Sequence, residues 1–292
     1  MSSLQNLIFS AIENPASPVW FPELTEQLVT YGWKNIREKY ELQEDNYSTE
    51  AIFHGRIGNS INTTTRLSPT IQNSISPLRS INICQMPEEI VVMYSDSGAK
   101  PYSSEMLQNS TVLQCLQESL EILATIPTVY ITVSHLVACL HILQPEDDDF
   151  DISYSLPNIP FSIFVSVPSR RMENDVLRVA EAILHEAMHL QLTLIEQFVP
   201  MIIETNEKHF SPWKNEYRHP RGVLHAIYVF CVIKQFFESL IKQNISTSSI
   251  QYLNKRCNVI SSQLEEINDF ISCAYFTGAG QAFGDKLFLV KR

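Results

Sequence analysis

Apolar residues recur at helical spacing in several long segments of the chain. Residues 1 to about 20 predict a short amphipathic helix, and residues 22 to 43 predict a second one. Helical spacing returns over residues 104 to 126. The clearest stripe runs from Ile250 to Ile271 in alternating steps of three and four, and it predicts a last helix that packs one face against a core.

Strand signals are fewer and shorter than helix signals. A compact apolar run at residues 90–94 precedes a turn-like stretch, and residues 160–167 form a second strand candidate. Residues 128–143 are so apolar that they fit a helix or a combination of strand and helix. Residues 46–80 predict loops with one or two strands. The pattern as a whole predicts a mainly α (α+β) fold, in which a helical core carries a small β-sheet.

The chain shows no internal repeat and no composition shift that marks a linker. An acidic stretch at residues 145–149 predicts a solvated surface loop between two apolar segments. We therefore expect an N-terminal helical or mixed region, residues 1–150, packed on a C-terminal core region, residues 151–292. The two regions are expected to form one integrated domain.

Composition indicates a globular protein with a real core. Of 292 residues, 45% are hydrophobic and 18% charged, which is not a disordered composition. The formal net charge of -11 argues against a general nucleic-acid-binding protein, because such a protein needs a basic surface. The charge leaves a peptidic or small substrate open, since such a ligand responds to the local field of a cleft.

The chain start lacks the basic residues and long apolar run of a signal peptide, and no window has about 20 uninterrupted apolar residues. We therefore expect a cytoplasmic protein without a membrane span. The cysteines are scattered and form no Cys-x-x-Cys pair, so they predict buried thiols in a reducing compartment. They are Cys84, Cys115, Cys139, Cys231, Cys257 and Cys273.

The strongest chemical signal lies in a helix predicted over residues 174–198. His185 and His189 are four residues apart, which places their imidazoles about 40° apart around the helix and one turn along it. The two side chains can therefore reach one metal ion. Glu186 completes the pattern His-Glu-x-x-His, in which zinc peptidases use the glutamate as general base.

The residues around this motif are apolar on nearly every side of the helix, which predicts a buried helix. Polar groups inside such a helix need hydrogen-bond or metal partners, because burying an unpaired polar group costs about 2–7 kcal/mol. A metal ion satisfies His185 and His189 together. The alternative is a pair of hydrogen-bonded core histidines without a metal.

A metal site needs a third ligand, and the motif's common extension does not supply it. Leu192 and Ile195 occupy the positions that hold glycine and histidine in the extended pattern. Other ligand-type residues follow further along the chain. They are Glu204, Glu207, His209, Glu216, His219 and His225.

His225 is the preferred third ligand on geometric grounds. In a helix predicted from about Gly222, Lys234 and Glu238 are taken to define the solvent face, and His225 lies about 180° from Lys234. His225 is therefore expected to point inward. Glu216 remains the alternative, because a metal site can also combine two histidines with one carboxylate.

Three further segments resemble a known family. Ser211–Arg218, Arg221–Phe230 and Phe276–Phe283 follow the motif in order. They are similar to segments of the HEXXH-motif proteins found beside ribosomally made, modified peptides, now named 2-oxoglutarate-dependent HExxH-type peptide β-hydroxylases. The resemblance covers about residues 160–285 and leaves residues 1–150 without a match.

This resemblance implies an enzyme that uses Fe(II), 2-oxoglutarate and O₂ to hydroxylate a β-carbon in a ribosomally synthesised precursor peptide. It implies His185, His189 and His225 as metal ligands and leaves open positions for the 2-oxoacid and O₂. The far carboxylate of 2-oxoglutarate needs a cation, and Arg218 or Arg221 is expected to bind it in a bidentate fashion. A surface ion pair is the alternative for either arginine.

Two other functions compete with this expectation. A zinc metallopeptidase would use the same ligands with Glu186 as catalytic base, so Glu186 is a candidate catalytic residue in either case. A structural metal site in a non-catalytic protein fits less well, because structural zinc is normally closed by four ligands, often cysteines.

Overall fold

The computed structural model describes residues 3–40, 63–69, 79–84, 100–103, 105, 110–145, 152–156, 161–243 and 245–289. The helices in these ranges are α1 (Ser3–Glu13), α2 (Pro22–Tyr40), α3 (Ser110–Ala124), α4 (Pro127–Leu136), α5 (Asp175–Glu196), α6 (Pro220–Ile241), α7 (Thr247–Glu266) and α8 (Gly278–Leu289), with a 3₁₀ turn at Phe270–Ser272. The strands are β1 (Thr63–Leu67), β2 (Ile81–Cys84), β3 (Lys100–Pro101), β4 (Cys139–Gln144), β5 (Ser153–Ser155), β6 (Ser162–Ser166), β7 (His209–Ser211) and β8 (Glu216–Arg218). The prediction of a mainly α (α+β) fold is confirmed.

The chain divides into two compact units by its internal contacts. One unit combines Met1–Leu28 with Gln191–Arg292, and we call it the terminal unit; the other, Val29–Leu190, is the sheet unit. Both divisions fall inside helices, within α2 and within α5. The arrangement of residues 1–150 and 151–292 as one integrated domain stays a prediction.

A mixed sheet organises the sheet unit. Its strand order is β1-β2-β4-β6-β5, and β3 also pairs with β4. The central pairs β2–β4 and β4–β6 are parallel, whereas β1–β2, β3–β4 and β5–β6 are antiparallel. All five residues of β6 and the first five of β4 are buried. Near-continuous burial is expected for parallel strands that are covered on both faces.

The apolar segment 128–143 forms a helix followed by a strand. Pro127 occupies the first turn of α4, where its missing N–H costs no hydrogen bond. At Val137 the backbone becomes extended, and Cys139 begins β4 two residues later. The strands predicted for 160–167 and within 46–80 are observed as β6 and β1. The run at 90–94 and acidic residues 146–149 lie outside the described residues.

The cysteine prediction is wrong for one pair. Cys84 of β2 and Cys139 of β4 are joined as a disulfide, because parallel pairing of the two strands brings their side chains together. Three of the remaining four cysteines are buried thiols, and Cys273 is half-buried. The pairing depends on strands 55 residues apart in sequence, so no local spacing of cysteines could have indicated it.

The terminal unit is built around α6, whose residues are mostly buried. By length and composition α6 alone among the described helices could cross a membrane, but 72% of its apolar window is buried within the protein. A buried core helix passes the same test of length and composition. Helix α7 presents the predicted apolar stripe, with Leu253, Cys257, Ile260 and Leu264 buried.

The sequence predicts that the stripe at 250–271 forms the last helix of the chain. This prediction is wrong, because another helix follows it. Helix α7 ends at Glu266, and α8 follows from Gly278. Thr277 caps the N-terminus of α8, because its hydroxyl accepts the N–H of Gly280 at 2.9 Å. The same hydroxyl donates to the Pro200 carbonyl at 2.7 Å. This region of the chain contains the third family-like segment.

A buried histidine in β4 makes the stability of the folded protein depend on pH. His141 is fully buried, and its ring stacks on that of Phe164 at a centroid distance of 4.6 Å. Burial lowers the pKa of His141 to about 4, although a backbone hydrogen bond with Cys84 partly opposes this. The folded protein therefore keeps this imidazole neutral at a pH where the unfolded chain binds a proton.

We expect stability to fall as the pH drops from about 6.5 to about 4, because only the unfolded state then protonates His141. The contribution of one proton is roughly 1.4 kcal/mol per pH unit. In His141→Phe this part of the pH dependence should disappear from urea unfolding curves. Phe236→Leu in α6 is the control: it removes fully buried apolar volume without changing the ring that stacks on His141, so it should lower stability at every pH and leave the slope unchanged.

Gly280 is expected to tolerate no side chain. A Cβ at this position would overlap the carbonyl oxygen of Met201, whereas a Cβ at Gly278 would meet nothing within 4 Å. Gly280→Ala should therefore lower the free energy of unfolding by about 1–3 kcal/mol through overpacking. Gly278→Ala, the matched control, should change it by less than about 1 kcal/mol. Equal stability of the two variants in urea unfolding would contradict the close approach seen here.

Candidate metal centre

Helix α5 carries the His-Glu-x-x-His motif and begins where the sequence predicted. Asn174 has a positive φ of 69°, a conformation that asparagine tolerates better than most residues. Asp175 then opens the helix, and its carboxylate accepts the N–H of Met172 at 2.6 Å. This local hydrogen bond fixes the helix start ten residues before His185.

The structure brings His185 and His189 together. Their Nε2 atoms are 3.1 Å apart, and both side chains are half-buried rather than fully buried. Two nitrogens that each lie about 2.0–2.1 Å from one ion are about 3 Å apart when they occupy adjacent coordination positions. A hydrogen bond between two neutral imidazoles has a similar length. The geometry therefore fits two ligands of one metal and does not by itself require the metal.

Glu186 lies beside this pair and is 3% exposed. Its Oε1 atom accepts a hydrogen bond from the Ser153 hydroxyl at 2.8 Å and lies 3.9 Å from Nε2 of His185. A buried carboxylate is costly unless hydrogen bonds compensate its charge. Ser153 provides one such bond and fixes the carboxylate next to the imidazole.

Ser153 is a site residue that the sequence did not indicate. It belongs to β5, a three-residue strand that pairs with β6 through Ser153↔Val165. The sequence Ser-Tyr-Ser is polar and carries no strand signal of its own. Only the pairing with β6 places Ser153 near the motif helix.

His225 lies in the terminal unit and points inward, as predicted: it is 9% exposed. Its helix, α6, starts with Pro220 after His219, whose ring accepts the N–H of Arg221 at 3.2 Å. The Nε2 atom of His225 lies 2.9 Å from Oε2 of Glu196. Glu196 is the partner that sequence reasoning missed.

The Glu196 carboxylate binds two cationic or potentially cationic groups through the same oxygen. Arg221 Nε donates to Oε2 at 2.7 Å, beside the contact from His225. Burial alone would raise the pKa of Glu196, but the hydrogen bond and charge of His225, together with Arg221, outweigh it and lower the pKa. An ionised Glu196 therefore favours the tautomer of His225 that carries its proton on Nε2.

This contact constrains how His225 could bind a metal. Ligation through Nε2 would require His225 to leave Glu196, whereas ligation through Nδ1 would preserve the contact. Metal-bound histidines usually donate their other ring N–H to a carboxylate or carbonyl. Glu196 follows His189 by seven residues, or two helical turns, and this spacing is the signal that could have drawn attention to it.

The two arginines predicted to bind 2-oxoglutarate each have a carboxylate partner. Arg218 of β8 lies 3.4 Å from Glu216, and both side chains are largely exposed. Arg221 pairs with Glu196, and its own side chain is 53% exposed. Glu216, the alternative third ligand, therefore sits in a surface ion pair. Glu196, the partner of Arg221, is more buried than Glu216, the partner of Arg218.

One premise of the sequence argument for His225 is wrong. Lys234 was assigned to the solvent face of its helix, yet it is only 8% exposed. Its ammonium reaches Glu238 at 2.8 Å, and Glu238 is the partly exposed member of the pair. The aliphatic stem of a lysine can be buried while its charged end reaches a partner near the surface, which helical periodicity cannot reveal.

The family-like segments of the terminal unit pack against one another. The ring of Trp213 stacks on that of Phe230 at a centroid distance of 5.0 Å, and Tyr228 contacts Phe283 at 5.4 Å. Tyr228, Phe230 and Phe283 are buried in these contacts, whereas Tyr217 of the first segment is 68% exposed.

In the described ranges no group of three or more His, Cys, Asp or Glu side chains is arranged to hold a metal ion. The structure thus supports a two-imidazole pair and leaves the third ligand a prediction from sequence. No protein-family model matches the chain, and no curated protein matches it significantly.

Metal analysis should test the ligands directly. We expect His185→Ala and His189→Ala each to lower metal affinity at least about hundredfold, since even indirect partners of a metal site contribute tenfold to hundredfold. Metal content after dialysis is the measurement, and His135→Ala on α4 is the matched control that should retain metal. His225→Ala should behave like the two motif variants. Full occupancy there would reject His225 and make Glu216 the candidate.

Proposed function

We propose that this protein is an Fe(II)- and 2-oxoglutarate-dependent oxygenase that hydroxylates a β-carbon in a ribosomally made precursor peptide. The observation that carries a metal-dependent function is the 3.1 Å separation of the His185 and His189 Nε2 atoms. The choice of oxygenase rests on the resemblance of the three downstream segments. We also propose that the protein is cytoplasmic and binds neither nucleic acid nor membranes.

Bound Fe(II) and 2-oxoglutarate would activate O₂, the oxidant, so that one oxygen atom goes to the substrate carbon and the other to succinate, with release of CO₂. His185 and His189 would hold the metal through Nε2, and imidazole nitrogen suits iron as well as zinc. His225 completes the proposed ligand set on sequence grounds. The two motif imidazoles lie close enough to share one ion, so little reorganisation of α5 would be needed on binding.

Glu186 would stabilise His185, the first of the proposed ligands, and would not itself bind the metal. Its Oε1 is 3.9 Å from His185 Nε2, and Ser153 holds it there from β5. A fixed buried carboxylate stabilises positive charge close by, including that of a metal bound to His185. Replacing Glu186 by glutamine would remove this charge and keep the shape of the side chain.

Arg221 is the better-placed of the two arginines for the 2-oxoacid. Its guanidinium is half-exposed and bound through Nε to Glu196, so its terminal nitrogens extend beyond that contact. A guanidinium binds a carboxylate through two parallel hydrogen bonds, which makes Arg221 suited to the far carboxylate of 2-oxoglutarate. Arg218 would first have to leave the exposed pair with Glu216, which is a weak interaction.

A zinc metallopeptidase remains the second candidate, and Glu186 favours it. The carboxylate is buried, hydrogen-bonded by Ser153 and close to a histidine of the proposed pair. This environment is compatible with a general base that removes a proton from water during peptide hydrolysis. The two functions differ in cofactor demand and in product.

We expect the protein, loaded anaerobically with Fe(II) and then exposed to air together with its precursor peptide, to convert 2-oxoglutarate to succinate. His185→Ala should abolish this turnover, because it removes a ligand. Arg221→Ala should weaken 2-oxoglutarate binding by about tenfold to a hundredfold, equivalent to roughly 1.5–3 kcal/mol for a charge-assisted contact. Succinate release and titration of 2-oxoglutarate measure the two effects.

The reaction product separates the candidates. With the precursor peptide, an oxygenase adds the mass of one oxygen and leaves the backbone intact, whereas a peptidase cleaves it with zinc and without 2-oxoglutarate. Glu186→Gln should abolish peptidase activity and leave measurable 2-oxoglutarate turnover. Cleavage by zinc-loaded protein alone would overturn the oxygenase proposal. Arg218→Ala is the matched control for Arg221→Ala.

A further inference from the structure

A second feature of the terminal unit is a pocket of about 400 Å³. Its walls come from the loop between α1 and α2, from the second half of α6 and from α8. Pro15, Pro18 and Trp20 form an apolar side, while Gln235, Lys242 and Lys286 contribute polar groups. The volume lies within the range of small-molecule sites, about 300–1,000 Å³. None of these residues takes part in the proposed metal centre.

Lys286 is the unusual member of this lining because its charge is buried. The residue is 6% exposed, its ammonium donates to the Asn14 carbonyl at 2.6 Å, and it lies 5.4 Å from the centre of the Phe21 ring. An ammonium has three N–H donors, and the carbonyl takes one of them. Among the residues that the structure describes, no carboxylate forms an ion pair with Lys286.

A buried cation without a paired anion is unfavourable. Burial lowers the pKa of Lys286, and the charge of Glu23 opposes this only in part. The carbonyl and the aromatic ring hold the ammonium in one position, so it is ready to bind a ligand without further ordering. An anion in the pocket would pair directly with the ammonium, which no carboxylate among the described residues does.

We propose that this pocket binds a small organic carboxylate with an apolar body, the carboxylate lying on the Lys286 ammonium. Gln235 supports the assignment: its Oε1 accepts the N–H of Val19 at 3.4 Å, which leaves the amide nitrogen as the donor that this side chain offers. Lys242, exposed at the end of α6, adds positive charge at the rim. Trp20 and the prolines would cover the apolar part of the ligand.

Charge selects a monoanionic carboxylate over a phosphate dianion. Glu238 also lines the pocket, where it is paired with Lys234. Glu23 lies close enough to influence Lys286. A dianion would therefore be repelled by two carboxylates, whereas a single negative charge matches the one unpaired ammonium. The proposal stands independently of the oxygenase function, because it shares no residue with it.

The test uses the full chain with metals chelated and sodium phenylacetate as probe, with binding followed by line broadening of the probe in proton NMR spectra. We expect saturable binding with a Kd of about 1 mM or tighter. Phenylacetamide, which has the same shape without the charge, and inorganic phosphate should each bind at least about tenfold more weakly. Absence of saturable phenylacetate binding would overturn the proposal. Equal affinity for either comparison compound would do the same.

Variants locate the site. Lys286→Met, which keeps an unbranched side chain shorter by one atom and removes its charge, should weaken phenylacetate binding at least about tenfold. The matched control is Lys255→Met on the exposed face of α7, which should bind like the parent. Ser239→Phe fills the pocket from α6 and should abolish binding even if Lys286→Met fails to fold. Parental affinity in Lys286→Met or in Ser239→Phe would reject this pocket as the site.

Discussion

Burial of polar groups along α5 is the constraint on which the rest of the structure depends. Glu186 is 3% exposed and Gln191 is fully buried, and each must be compensated within its own unit. Ser153 compensates Glu186, the backbone around Trp20 accepts from Gln191, and His225 compensates Glu196. Ser153 lies in the sheet unit, whereas the Trp20 backbone and His225 lie in the terminal unit. Within each unit, a rotation of its own part of α5 by one residue, about 100°, would leave these partners unmatched.

The sequence could predict what depends on local periodicity. Helices α1, α2 and α7 appear where apolar residues recur at helical spacing, because such a stripe has to be buried. It could not predict α8, which contains Gly278, Gly280 and Gly284 and so looks like a poor helix former. Close packing accounts for two of these glycines, because a Cβ at Gly280 would overlap the Met201 carbonyl and a Cβ at Gly284 would crowd the Ile271 side chain. The pairing of β2 with β4 likewise joins distant segments, and neither segment encodes its partner.

The candidate site divides along the same line. The proximity of His185 and His189 follows from helix geometry, so four-residue spacing was sufficient to predict it. Ser153 and Glu196 were missed because their contacts join different elements. Helical periodicity also placed Lys234 in solvent, although a long side chain can be buried and still reach a carboxylate. The sequence therefore predicts site contacts between residues of one helix, but not contacts between residues of two different elements.

The position of β5 at the edge of the sheet has a kinetic consequence. Among the described strands, β5 is held on one side only, through three residue pairs with β6. Short edge strands open locally far more often than a whole domain unfolds, so their amide hydrogens exchange with solvent early. Each such opening would carry Ser153 away from Glu186 while α5 stays folded. The electrostatic environment of the histidine pair would then fluctuate at the rate of strand opening, independently of global unfolding.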